Sequence, residues 1–168
     1  MSKARLLVVD DNPDDRELMQ IRLSKLDYDV SVAVDGEKAL AMISQESFDL
    51  VVLDFTMPGI DGLEVLRRLR TTRSTAELPV IMVTSSLDMA IQVQAVRLGA
   101  NGYITKPVII GVAQAQIDKH LRSKLAGAEA TVAREDLAKT LADLQAAVVA
   151  AQQKLALLDV PTPSSRGS

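Results

Sequence analysis

A chain of 168 residues has room for one ordinary domain and something smaller, and at 48% apolar it can bury a real core. Aromatics are only 2%, so Val, Leu, Ile and Met must fill that core, and the absence of cysteine excludes disulfides and thiolate metal sites and suits a reducing cytoplasm. A net charge of -3 gives no electrostatic footprint for nucleic acid, Met1–Arg5 lacks a signal-peptide apolar region, and no apolar run approaches the roughly 18 residues of a membrane span.

Taken in order, the chain alternates short continuous apolar runs with longer stretches of helical period, the pattern of βαβ units and a parallel sheet. The first run, Leu6 to Val9, ends in Asp10 and Asp11. Asp14 to Leu26 then carries Leu18, Ile21 and Leu26 on one expected helix face. Val30 to Val34 predicts a second strand, and Gly36 to Ser44 a helix with Ala39, Leu40 and Ile43 inward. The third run, Leu50 to Leu53, closes on Asp54. Gly62 to Arg70 sets Leu63, Leu66 and Leu69 opposite Arg67, Arg68 and Arg70, which with Arg73 are expected to form a solvated face. Val80 to Val83 precedes Thr84, and Leu87 to Leu98 ends at Gly99, a good helix C-terminal cap. Gly102 to Ile104 is the last run, followed by Lys106 and Pro107, whose shared bond is of a kind that can be cis and so aim the lysine inward. Met42, Met82 and Met89 fall at core spacing, and His120 is expected to be solvated on an exposed helix.

Five strands and five helices within about residues 1–125 predict a doubly wound α/β domain, a five-stranded parallel sheet in the flavodoxin-like order 2-1-3-4-5. Ligands of open α/β sheets bind at the C-terminal strand ends, where this order makes Asp10, Asp11 and Asp54 neighbours. So many negative charges need a cation, and all-oxygen ligation suits Mg²⁺ or Mn²⁺ with waters retained. Asp54 can then act as a carboxylate nucleophile for a phosphoryl group, with the metal and Lys106 neutralising its oxygens and the Thr84 hydroxyl adding a hydrogen bond. Taken singly, Asp10 or Asp11 could instead cap the helix that follows Pro13, and Asp54 could serve a turn.

Together, Asp10-Asp11, Asp54-Phe55-Thr56-Met57-Pro58-Gly59-Ile60-Asp61-Gly62, Thr84-Ser85-Ser86 and Thr105-Lys106-Pro107 resemble the receiver domain of two-component response regulators over about residues 4–123. The resemblance implies that Asp54 is the phosphoacceptor and that Asp10, Asp11, Asp54 and the Thr56 backbone carbonyl bind Mg²⁺. It further implies that Lys106 binds the phosphoryl group and that Thr84 and Tyr103 form the switch pair. Ser85 stands where the family usually has Ala or Gly, and Thr56 and Ser86 flank the path of attacking water, so the phosphoryl lifetime is left open. Phosphatases of the haloacid dehalogenase type resemble Asp-x-Asp-x-Thr after the first strand, a pattern that Asp10-Asp11-Asn12-Pro13 does not match.

Residues 126–158 change character. Leu137, Leu141, Leu144, Val148, Ala151, Leu155 and Leu158 follow a 4-3-4-3-4-3 spacing, the a/d pattern of a coiled coil. An earlier stripe, Leu121, Leu125, Ala128 and Val132, is out of phase with it; the slip falls near Arg134–Asp136, and Gly127 is a second weak point. A helix of about 30 residues would reach roughly 45 Å. Its e and g positions offer almost no charge pairing, yet so long an apolar stripe is expected to be covered in a parallel homodimer rather than left on a monomer. Residues 159–168 read as a disordered linker or cloning scar.

The expected function is a cytoplasmic response regulator receiver that takes a phosphoryl group from a sensor histidine kinase or phosphotransfer protein and transmits the change through its C-terminal helix. Beyond its own phosphoryl acceptance and slow autodephosphorylation it is expected to be no enzyme, and to bind neither nucleic acid nor membrane. The alternatives are a phosphorylation-independent dimerisation or scaffold module, or a fragment of a larger regulator whose output domain is missing.

Overall fold

The apolar runs become strands because Val, Leu and Ile fit a pleated surface buried on both faces. The computed structural model describes residues 3–85 and 89–158, apart from the side chain of Met89. Ser86, the first residues of the helix expected from Leu87, and the tail 159–168 lie outside the described residues. Among the described residues five strands alternate with five helices: β1 Arg5–Val9, α1 Pro13–Ser24, β2 Asp29–Ala33, α2 Gly36–Gln45, β3 Leu50–Asp54, α3 Gly62–Leu69, β4 Val80–Thr84, α4 Met89–Arg97, β5 Gly102–Thr105 and α5 Ile110–Leu158. All strand pairs are parallel, in the order β2-β1-β3-β4-β5. The central β3 and β4 are buried at every position, whereas the edge strands β2 and β5 are not, which is why their apolar pattern is the weakest.

Alternation along each strand divides the core into two layers. Leu7, Val9, Val51, Leu53, Val80 and Met82 face Ala39 and Ile43 of α2, Val65, Leu66 and Leu69 of α3, and Ala95 of α4. Leu6, Val8, Leu50, Val52, Ile81, Val83 and Ile104 face Met19 and Leu23 of α1 and Ala113 and Ile117 of α5. The expected inward face of α1 needs correction: Met19 and Leu23 are its buried pair, while Leu18 and Ile21 are each 45% exposed. Apolar residues sit on both sides of this helix, so spacing alone does not select the packed stripe.

Two polar residues also depart from expectation. Arg70 is no solvated charge: its guanidinium donates to the carbonyls of Gly99, Arg73, Ser74 and Leu78 and to Asn101 Oδ1, at 2.9 to 3.2 Å. It ties the segment between α3 and β4 to the turn before β5, where Gly99 holds a φ of +96° that a side chain would strain. Arg67 and Arg68 do lie on the surface, paired with Glu64, and Arg68 also reaches Glu37. His120 is half-buried beneath β5, close to Gly102, and among the described residues its Nε2 meets no hydrogen-bond partner. Burial, then the charge of Lys119, holds that imidazole below its ordinary pKa.

The chain divides into two compact units, Met1–Ala126 and Gly127–Ser168. In the second, residues 127–158 are helical without a break at Arg134–Asp136. Leu137, Leu141, Leu144, Val148, Leu155 and Leu158 are between 52% and 83% exposed along it. No described helix is long and apolar enough to cross a membrane.

Replacing Arg70 by Ala leaves several carbonyls without their donor and should cost about 2 kcal/mol of stability in chemical denaturation. Arg67→Ala, which breaks only a surface pair, should leave the midpoint nearly unchanged.

Candidate functional site

The parallel register carries the strand ends to one edge. Val9 is level with Leu53 and Ala33, so the next residues, Asp10 and Asp54, are neighbours. Asp54 is level with Val83, and Thr84 with Thr105, so Thr84 and Lys106 follow on the same edge. Three polar or charged residues are buried there: Asp10 at 6% exposure, Asp54 at 5% and Thr84 at 4%. Asp11 is exposed, and one carboxylate oxygen from each of Asp10, Asp11 and Asp54 lies within 4.8 Å of the others.

The loops are built to leave those carboxylates available. Asn12, and neither Asp10 nor Asp11, is the N-cap of α1: its Oδ1 accepts from the N–H groups of Asp14 and Asp15, with Pro13 at the first helical position. The Asn12 N–H donates to Asp10 Oδ1 at 2.9 Å, and Arg16 Nη1 donates to the carbonyls of Asp10 and Asp11 at 2.8 and 3.3 Å. On the β3 side, the N–H of Gly62 donates to the Phe55 carbonyl at 2.9 Å. A Cβ at position 62 would stand 2.4 Å from the Asp54 carbonyl oxygen, so only glycine lets α3 approach the end of β3 so closely. The N–H of Thr56 donates to the Asp54 carboxylate.

Lys106 is the counter-charge. Its backbone N–H donates to the Thr84 carbonyl at 2.8 Å, and the Lys106-Pro107 bond is cis. Its Nζ lies 3.1 Å from Asp10 Oδ2, 3.1 Å from Asp15 Oδ2 and 3.3 Å from Asp54 Oδ2. Burial opposes the ammonium charge, but hydrogen bonds to Asp10 and Asp15 and the charges of Asp54 and Asp10 hold its pKa well above the ordinary value. Asp54 moves up as well: desolvation and then the charge of Asp10 outweigh the attraction of Lys106 and the Thr56 hydrogen bond. Asp15 went unnoticed in the sequence because acids in a first helical turn are ordinary dipole partners. Its only clue is its place one turn beyond the Asp10-Asp11 pair.

Tyr103, one residue before Ile104 on β5, is 46% exposed and lines an open groove together with Gln92, Val93, Val96 and Arg97 of α4. Beside Lys106 a cavity of about 570 Å³ opens between α1 and the loop after β5, lined mainly by apolar residues such as Leu18, Met19 and Val108 and also by Asp10, Asp15 and Arg22. The oxygen-only donor set of the carboxylate cluster, with neither His nor Cys, fits a hard divalent cation such as Mg²⁺.

The family model described as the response regulator receiver domain matches residues 6–122. A probable transcriptional regulator, ycf27, of Porphyridium aerugineum is 39% identical over 122 residues, which are 73% of this chain and 50% of that protein. The DNA-binding dual master transcriptional regulator RpaA of Synechocystis is 38% identical over 118 residues, 70% of this chain and 49% of that protein. The chain thus spans about half the length of these curated relatives. Among solved structures, a CheY-like receiver domain protein of Methanospirillum hungatei superposes with a TM-score of 0.71 at 28% identity, over 75% of this chain and 99% of that one.

The electrostatics set a pH test of stability. Because folding raises the pKa of Asp54, its protonation favours the folded state, a contribution present below the ordinary carboxylate value and lost as pH rises through the folded one. Asp54→Asn should therefore stabilise the metal-free protein at neutral pH by about 1 kcal/mol, or ~3 °C in melting temperature. The gap should close below about pH 4. Thermal melts at stepped pH check it, and parallel curves for the two proteins would refute the assignment.

Proposed function

The chain belongs to the response regulator receiver family, and on that premise we propose that it is a phosphorylation-controlled switch whose phosphoacceptor is Asp54. The observation that carries the reading is the buried Asp54 carboxylate, beside Asp10 and within 3.3 Å of the Lys106 ammonium, at the C-terminal edge of the sheet. A sensor histidine kinase or phosphotransfer protein is the donor. An Asp54 carboxylate oxygen forms a bond to phosphorus as the bond from phosphorus to the histidine nitrogen breaks, and the departing imidazole takes a proton from solvent. Receiver domains generally bind Mg²⁺ in such an acidic pocket, where the ion supplies positive charge to the phosphoryl oxygens. Asp10, Asp11 and Asp54, with the Thr56 carbonyl, are the residues that would hold it. Lys106 neutralises a further oxygen and holds it in line, and Thr84 offers its hydroxyl at the neighbouring strand end.

The added charge draws on Thr84, and Tyr103 moves from its half-exposed position toward the space behind it, repacking the face made by α4 and β5. The exposed apolar cavity beside Lys106, with Leu18 at its rim, is suited to a kinase helix docking within reach of Asp54. The a/d stripe of residues 137–158 pairs with that of a second copy, giving a parallel coiled-coil homodimer that carries the signal. The chain acts in the cytoplasm, binds neither nucleic acid nor membrane, and is no enzyme beyond its own phosphoryl acceptance and slow autodephosphorylation. Because the matched segment makes up only about half of these relatives, the same segment also fits the receiver and stalk of a longer regulator.

The test is the phosphorylated fraction reached with acetyl phosphate and Mg²⁺, and the mass in solution by light scattering with and without beryllofluoride, which mimics an aspartyl phosphate. Asp54→Asn should abolish labelling, and Lys106→Ala should slow it about 100-fold. A dimer whose shape changes with beryllofluoride only when Asp54 is present supports the switch. A monomer throughout would remove the coiled coil, and labelling that survives Asp54→Asn would remove the phosphoacceptor.

A further inference from the structure

A lysine ammonium has three N–H donors, and those of Lys106 are directed at Asp10, Asp15 and Asp54. A phosphoryl oxygen on Asp54 can therefore gain a hydrogen bond from Lys106 only if one of these partners lets go. The three are not equivalent. Asp54 carries the phosphoryl group itself, and Asp10 is buried, accepts from the Asn12 N–H and shares the carboxylate cluster. Asp15 stands outside that cluster, its side chain is 46% exposed, and among the described residues its carboxylate has no other hydrogen-bond partner. Water can replace Lys106 at Asp15 at small cost, so this is the contact that gives way.

We propose that Asp15 is a positioning residue that competes with the phosphoryl group for Lys106. It parks the ammonium against the first turn of α1 while Asp54 is unmodified and releases it when phosphoryl oxygens arrive. The proposal rests on the phosphoacceptor reading of Asp54. Phosphoryl capture is thereby coupled to the N-terminus of α1, an element that contributes no residue to the carboxylate cluster.

The experiment is calorimetric titration of beryllofluoride into the full chain with saturating Mg²⁺, for the parent protein, Asp15→Asn, Asp15→Glu, Lys106→Ala and the double variant. Asn12 and Asp14 remain in place in every variant, and thermal melts verify that each is folded. Asp15→Asn should bind about fivefold more tightly, the scale of one half-exposed ion pair released. Asp15→Glu should return to the parental affinity, and in the Lys106→Ala background Asp15→Asn should have no effect, which a merely structural role would not produce. Unchanged or weaker binding by Asp15→Asn in a protein whose parent binds well would overturn the inference while leaving the phosphoacceptor intact. An effect that persists without Lys106 would also overturn it, because Asp15 would then act on the anion directly. A parent protein that binds no beryllofluoride would remove the phosphoacceptor reading and this inference with it.

Discussion

Carboxylates gathered at the ends of β1 and β3 repel one another, and the Lys106 ammonium is the cation that bonds directly to their side chains. That opposition explains much of the first unit. The acids must be adjacent, which needs β1 beside β3, and the lysine must reach them from the loop after β5, on the far side of β4. Desolvation makes each charge costly when unpaired. Asp54 accordingly sits above its ordinary pKa, where desolvation and the charge of Asp10 outweigh Lys106, and Lys106 sits above its own, where its carboxylate partners outweigh burial. A site with surplus negative charge and one shared cation is the electrostatic arrangement that the proposed phosphoryl acceptance needs.

Around that centre the loops are fixed by features with no chemistry of their own. Asn12 relieves the acids of capping duty, Arg16 closes the loop that bears Asp10 and Asp11, and Gly62 lets α3 begin against the Asp54 backbone. Arg70 does the same for the turn before β5 by gathering four carbonyls. Each device settles the backbone of a loop or turn around the sheet's edge. The regularity of the sheet and the irregularity of its C-terminal edge are two sides of one arrangement.

The second unit obeys a different rule. Residues 127–158 form a helix whose leucines are exposed, and its e and g positions carry almost no charge. Helical propensity of an alanine-rich chain accounts for its continuity, even at the phase slip near Glu135. The proposed parallel homodimer rests on that exposure, since a second copy would cover the stripe layer by layer. The family resemblance stops at residue 122, so nothing in it prescribes what this helix does.

The strands of the sheet, their order through the switch-point argument and the residues at their ends were legible in the sequence, because buried parallel strands are unbroken apolar runs and strand ends follow from where those runs stop. Asp10, Asp54, Thr84 and Lys106 were legible for that reason. The tertiary structure alone decided which helix faces pack and which polar groups meet. Leu18 and Met19 are adjacent in α1 and equally apolar, and only the position of the sheet buries one of them. Arg70 looks like its neighbours until the carbonyls of residues 73, 74, 78 and 99 converge on it. Asp15 looks like a first-turn acid until Lys106 arrives from 91 residues away. Periodicity reports which side of an element is apolar, whereas a contact between distant residues depends on the whole chain path, which no local pattern contains.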